Sequence, residues 1–124
     1  MPPASPTTVD EYLEDKNRDG ALLFREFQRL VEACGASHAA VSRTVVFFKR
    51  NRVFAGAFVR GRRLEAVIDL LREAEHPCLV AAFPTTKRVV SHRLRIDDPA
   101  QLDESVRALL REAYEEVGPG TRRR

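Results

Sequence analysis

No apolar run in the chain approaches the roughly 20 residues that a helix needs to span a bilayer, so no membrane-spanning segment is expected. The opening MPPASPTT lacks a basic start and an apolar core, so no secretory leader is expected and the location read is cytoplasmic. Cysteine is scarce: Cys34 and Cys78 stand at no metal-ligand spacing and read as free, buried thiols. His38, His76 and His92 also lack ligand spacing, and no Cys or carboxylate completes a set, so neither metal nor cofactor is expected. No serine or cysteine has a base in reach. Ser42-Arg43 and Ser91-His92 are sequence neighbours, and on a strand such neighbours point to opposite faces. Asp97-Asp98 reads as a helix start rather than a catalytic pair. Together these absences lean away from an enzyme.

Acidic residues are missing from two long stretches. Between Ala36 and Leu64 there are seven basic residues and no acid: Arg43, Lys49, Arg50, Arg52, Arg60, Arg62 and Arg63. Between Pro77 and Ile96 there are four more, Lys87, Arg88, Arg93 and Arg95, again without an acid. The net charge is only +3, so the acids are gathered elsewhere, mostly before Ala36 and after Ile96. That asymmetry points to an anionic partner.

What the chain does have is a core. At 124 residues, 44% hydrophobic and 31% charged, it fits one globular domain, read here as residues 7–118 between a disordered lead-in at 1–6 and a frayed basic tail at 119–124. The organising stretch is Thr44–Val59, TVVFFKRNRVFAGAFV. Aromatic and β-branched residues favour strands, and Asn51 suits a tight turn, so a β-hairpin is expected. Both of its strands are apolar on both faces, which places the hairpin centrally, with cover on each side.

The rest arranges around it. Thr7 and Asp10 read as the cap of a short first helix, and Asp19 as the N-cap of a second. Leu23, Phe27, Leu30, Val31 and Cys34 line one face of that second helix, and Gly35 ends it. Strands are expected at 39–49, 52–60, 64–71 and 88–96; a helix over 64–74 also fits, but the strand is preferred. Residues 72–87 form a long connection, with one helical turn at Cys78–Phe83. Asp98, Pro99 and Gln101 read as the capped start of a last helix whose apolar face is Leu102, Val106, Leu109, Leu110, Ala113 and Val117. The fold expected is α+β: two layers, a four-stranded antiparallel sheet with amphipathic helices on one face. If the connection leaves the other face bare, that apolar face becomes a homodimer interface or a ligand groove.

The segment EHPCLVAAFPTTKRVVSHRLRI followed by LDESVRALLREAYEEVG resembles an uncharacterised bacterial family, the domain-of-unknown-function family numbered 5655. RTVVFFKRNRVFAGAFV fits that family's first two strands, and the likeness runs from Val9 to Gly118. Its most specific parts are Phe83–Arg88, His92-Arg93, and Leu102-Asp103 leading to Glu112-Ala113-Tyr114. The resemblance implies a small domain, found alone or fused to others, and transfers no catalytic residue.

Two candidate sites follow from the residues. His92 shares the apolar side of the last strand with Val90 and Leu94, either as a base or donor in a pocket roofed by residues 76–87, or as a core histidine bonded to backbone. Thr85, Thr86, Lys87 and Arg88 offer hydroxyls, amides and cations to an oxyanion, or simply make a solvated turn. In a meander, the Lys49–Arg52 and Arg60–Arg63 turns lie roughly 23 Å apart at opposite ends of the sheet. An antiparallel last strand would start at the first of these ends. Lys87 and Arg88 would then join Lys49, Arg50 and Arg52 in one basic cluster. The leading expectation is a non-enzymatic module engaging an anionic ligand or nucleic acid there; a His92-centred pocket and a homodimer are the alternatives.

Overall fold

A computed structural model describes residues 5–120. The expectations for residues 1–4 and 121–124 lie outside that range. The elements run α1 (Val9–Leu13), α2 (Arg18–Cys34), β1 (His38–Val41), β2 (Val46–Lys49), β3 (Val53–Arg60), β4 (Arg63–Leu70), β5 (Leu79–Pro84), β6 (Val90–Ile96), a 3-10 turn (Pro99–Gln101) and α3 (Glu104–Glu116). The class is α+β, with one open antiparallel sheet in the order β1-β2-β3-β4-β6-β5. Among the described residues no helix is long and apolar enough to cross a membrane.

The sheet has six strands rather than four. The expected strand at 39–49 is split: Ser42 turns the chain, its hydroxyl and amide exchanging bonds with Val45, and β1 folds back on β2. The expected helical turn at Cys78–Phe83 is instead the edge strand β5, paired with β6. Leu79–Phe83 is short and apolar, and such a run fits a strand and a helical turn equally well on period alone. Pairing to β6 decides it.

Helix starts sit close to the expected positions. Thr8 and Glu11, one residue beyond the expected pair, form the box that starts α1. Asn17, not Asp19, caps α2 through its side-chain oxygen. Gly35 ends α2 at φ 146° and ψ −169°, extended backbone open to glycine rather than the left-handed helical region. Asp98 and Gln101 make their capping box around the 3-10 turn, and Asp103 caps α3 itself.

Register fixes the two faces. Val46, Phe48, Ala55, Ala57, Ala66, Ile68, His92 and Leu94 share one face. All three helices pack there; Phe24 and Phe27 of α2 meet Phe48. The opposite face carries Phe47, Gly56, Phe58, Glu65, Val67, Asp69, Ser91, Arg93 and Arg95. Cover on each side of the hairpin was expected, but no described helix packs on this second face, although Glu65, Asp69 and Ser91 on it are buried. It carries charged side chains beside Phe47, Phe58 and Val67, and the chain after β4 bonds to His92 on the helix side instead. A bulge between Phe48 and Lys49 inserts an extra residue in β3 and brings Phe54 to the helix side, where its ring meets Tyr114 edge-on at 5.3 Å. Phe58 stays on the open face, so the two phenylalanines separate. The hairpin is also off-centre: β3 and β4 are the middle pair, and β2 lies one strand from the edge.

Candidate functional site

His92 is 1% exposed and faces the helices. Its Nε2 accepts from the Ala74 amide at 2.9 Å, and its Nδ1 lies 3.2 Å from the Ile68 carbonyl. An Nε2 that accepts leaves Nδ1 as the donor, so backbone takes both nitrogens. Residues 76–87 form no roof over it.

The Thr85–Arg88 segment is the tight turn between β5 and β6. Thr86 Oγ1 accepts from the Arg88 and Val89 amides at 3.2 and 3.1 Å. The Thr85 amide and hydroxyl both reach the Val89 carbonyl. The Thr85 and Thr86 side chains are thus engaged within the turn, and the Lys87 and Arg88 side chains are exposed on it.

The β2–β3 turn is equally occupied. The Asn51 and Arg52 amides donate to the Gly118 carbonyl at 2.8 and 2.9 Å, and Asn51 Nδ2 donates to the Pro119 carbonyl. Asn51 closes α3's C-terminal end and adopts no left-handed conformation. Arg50 Nη1 donates to the Tyr114 carbonyl at 3.2 Å, and its guanidinium lies 4.5 Å from the Tyr114 ring centre. A cation at a helix C-terminus is also favoured by the helix dipole.

The register puts this turn and the β5–β6 turn at the same end of the sheet, since Lys49 pairs with Val53, and Leu70 with Val90. Between β3 and β6 lie two strand steps, about 10 Å. The Lys49 and Lys87 side chains are exposed and make no hydrogen bond or ion pair among the described residues. The expected cluster is therefore a rim held by these two lysines and Arg88, with Arg50 turned to α3. At the far end the cations are matched: Arg62 pairs with Asp19 at 3.3 Å and Arg63 with Asp97 at 3.2 Å.

The uncovered face was not singled out from sequence as a site. Glu65 is 1% exposed; its Oε1 lies 3.5 Å from Arg95 Nη2 and 3.8 Å from Arg60 Nη1. Asp69 accepts from Ser91 Oγ at 2.6 Å. Burial pushes the Asp69 carboxyl above the ordinary range, against the opposing pull of Ser91 and then Arg52. The Arg93 guanidinium lies 5.8 Å from the Phe58 ring centre. Three buried polar side-chain atoms lack a hydrogen-bond partner among the described residues: Arg52 Nη1, Glu65 Oε2 and Arg93 Nε. Glu65 and Arg93 lie on this face, and Arg52 acts on its Asp69. The alternation Glu65-Val67-Asp69 against Ser91-Arg93-Arg95 was the available signal for it.

Elsewhere, Cys34 and Cys78 are free and half-buried, and burial raises both thiols. No group of three or more His, Cys, Asp or Glu able to hold a metal ion occurs among the described residues.

A family model described as "Domain of unknown function (DUF5655)" matches residues 9–117. No curated protein and no solved structure matches the chain.

Proposed function

Because the chain belongs to the DUF5655 family, a domain defined without a function, we propose one from the geometry: a non-enzymatic binding module that engages an anionic partner on the uncovered sheet face and its lysine rim. The observation that carries this reading is the surplus of guanidinium there. Arg93 and Arg95 lie on the face, Arg60 reaches across to Glu65 and Arg52 acts on Asp69, against those two carboxylates. Two of the guanidinium nitrogens, Arg52 Nη1 and Arg93 Nε, are buried without an acceptor. A buried charged donor left unpaired is costly, and an incoming oxyanion offers the acceptor after a small side-chain shift. A face-to-face homodimer would set this positive surplus against its own copy, which disfavours it.

The test uses inorganic polyphosphate, which has charge but no base or sugar. At low salt it should bind, and log affinity should fall linearly with log salt. Replacing Lys49 and Lys87 together by Gln should flatten that line. No affinity at low salt would refute the reading.

A further inference from the structure

Resting on that reading, we infer that the anionic partner is single-stranded nucleic acid, its unpaired bases stacked on Phe47, Phe58 and Phe83. Charge alone does not explain why large aromatic rings stay at the surface here. Phe47 is 38% exposed and Phe83 42% exposed. Both are placed on the uncovered face by register, Phe47 opposite Gly56 and Phe83 opposite Ser91. Phe58 stands two residues beyond Gly56 on β3, with the Arg93 guanidinium near its ring.

Gly56 shapes the platform. A Cβ added there would lie 2.7 Å from Phe47 Cδ1 and 3.1 Å from its Cε1, so the ring rests against the bare backbone of β3. Only glycine leaves that seat open. The row running from Phe47 through Gly56, Val67 and Arg93 to Ala81 is otherwise built of small or flat groups, apart from the guanidinium. Four strand steps separate β2 from β5, about 19 Å. At a stacked rise of ~3.4 Å per nucleotide, that accommodates at most about six.

The chemistry selects among anions. Every base has a π-face that stacks on an aromatic ring, while Arg52, Arg93 and Lys87 answer phosphates alongside. A duplex has its bases already stacked and would meet only the cations. A free phosphate would leave all three rings unused. A basic, aromatic sheet face with little to enter a groove fits an unpaired strand.

The decisive experiment compares fluorescein-labelled dT12 and U12, a blunt DNA duplex of equal length, and inorganic polyphosphate by anisotropy, at two or more salt concentrations. The single strands should bind more tightly than the duplex. Phe47→Ala and Phe83→Ala should each weaken them roughly tenfold, with the salt slope unchanged. Phe47→Trp should retain binding, and Arg93→Gln should flatten the slope by roughly 0.7. Leu22→Ala, an exposed position on α2, is the control and should change nothing. Melting curves confirm that each variant is folded. If the single strands bind no better than duplex or polyphosphate, or ignore Phe47 and Phe83 alike, the inference is overturned and the anionic-partner reading stands. If none of the four binds, both fall.

Discussion

Replacing His92 by Leu keeps most of the buried volume and removes only the two ring nitrogens. The Ala74 amide and the Ile68 carbonyl then lose their partners in a closed core. Each unsatisfied buried group costs about 1–3 kcal/mol, so the variant should lose about 2–6 kcal/mol. Against a total stability of about 5–15 kcal/mol this is a large fraction. At a urea slope of about 2 kcal/mol per molar the midpoint should fall by roughly 1–3 M with the slope unchanged. Two further readings isolate the cause. Hydrogen exchange at the Ala74 amide should be slow in the native protein and fast in the variant. His92→Gln, which carries both a donor and an acceptor, should recover part of the loss. Polyphosphate binding should persist wherever the variant is folded, because the ring faces away from the open side. A His92→Leu protein within about 0.5 kcal/mol of the parent would refute the assignment. So would one that keeps its stability but no longer binds.

Phe54→Ala should be among the most damaging core changes, costing about 3–5 kcal/mol, because the side chain is fully buried and also loses its edge-on contact with Tyr114. Thermal unfolding should show a drop of more than about 10 °C, while the half-exposed Phe58 should cost clearly less. Asp103→Ala should cost about 1 kcal/mol by removing the α3 cap, read by chemical denaturation. The Val106 amide, with His76 adding to it, holds the Asp103 carboxyl below its ordinary value. Its contribution is therefore present above the unfolded-state value near 3.9 and is lost as pH falls through the folded one, so parent and variant should converge in strong acid.

Helices and central strands were legible because their signals are periodic. The i, i+3, i+4 spacing from Leu23 to Val31 on α2, and from Val106 to Ala113 on α3, is what buries those faces. Three of the strands, β3, β4 and β6, were placed within two residues by alternation or by aromatic and β-branched content, and the fourth expected strand merged β1 with β2. The misses have local causes. β5 carries five uncharged residues before Pro84, too few to separate one period from another, and only pairing to β6 makes it a strand. The break at Ser42 depends on a side-chain bond to Val45, within a run that reads as continuous. The one-residue bulge beside Lys49 re-aims Phe54, and composition carries no trace of it. At the site, sequence located the cations and their common end. It could not tell that Arg50 and Asn51 are consumed by α3, or that Thr85 and Thr86 bond within their own turn. Nor could it tell that the helices leave the Glu65–Asp69 side bare.

The grip of Asn51 and Arg52 on the Gly118 carbonyl has a practical corollary for anyone building on this domain. It anchors the chain's exit beside the lysine rim, whereas Tyr12 near the start accepts the Val59 amide on its hydroxyl at the other extremity of β3. Cargo appended beyond Gly120 would be tethered beside the rim whose occupancy one wishes to measure. Labels, beads and fusion partners belong ahead of α1, where they leave that approach unobstructed.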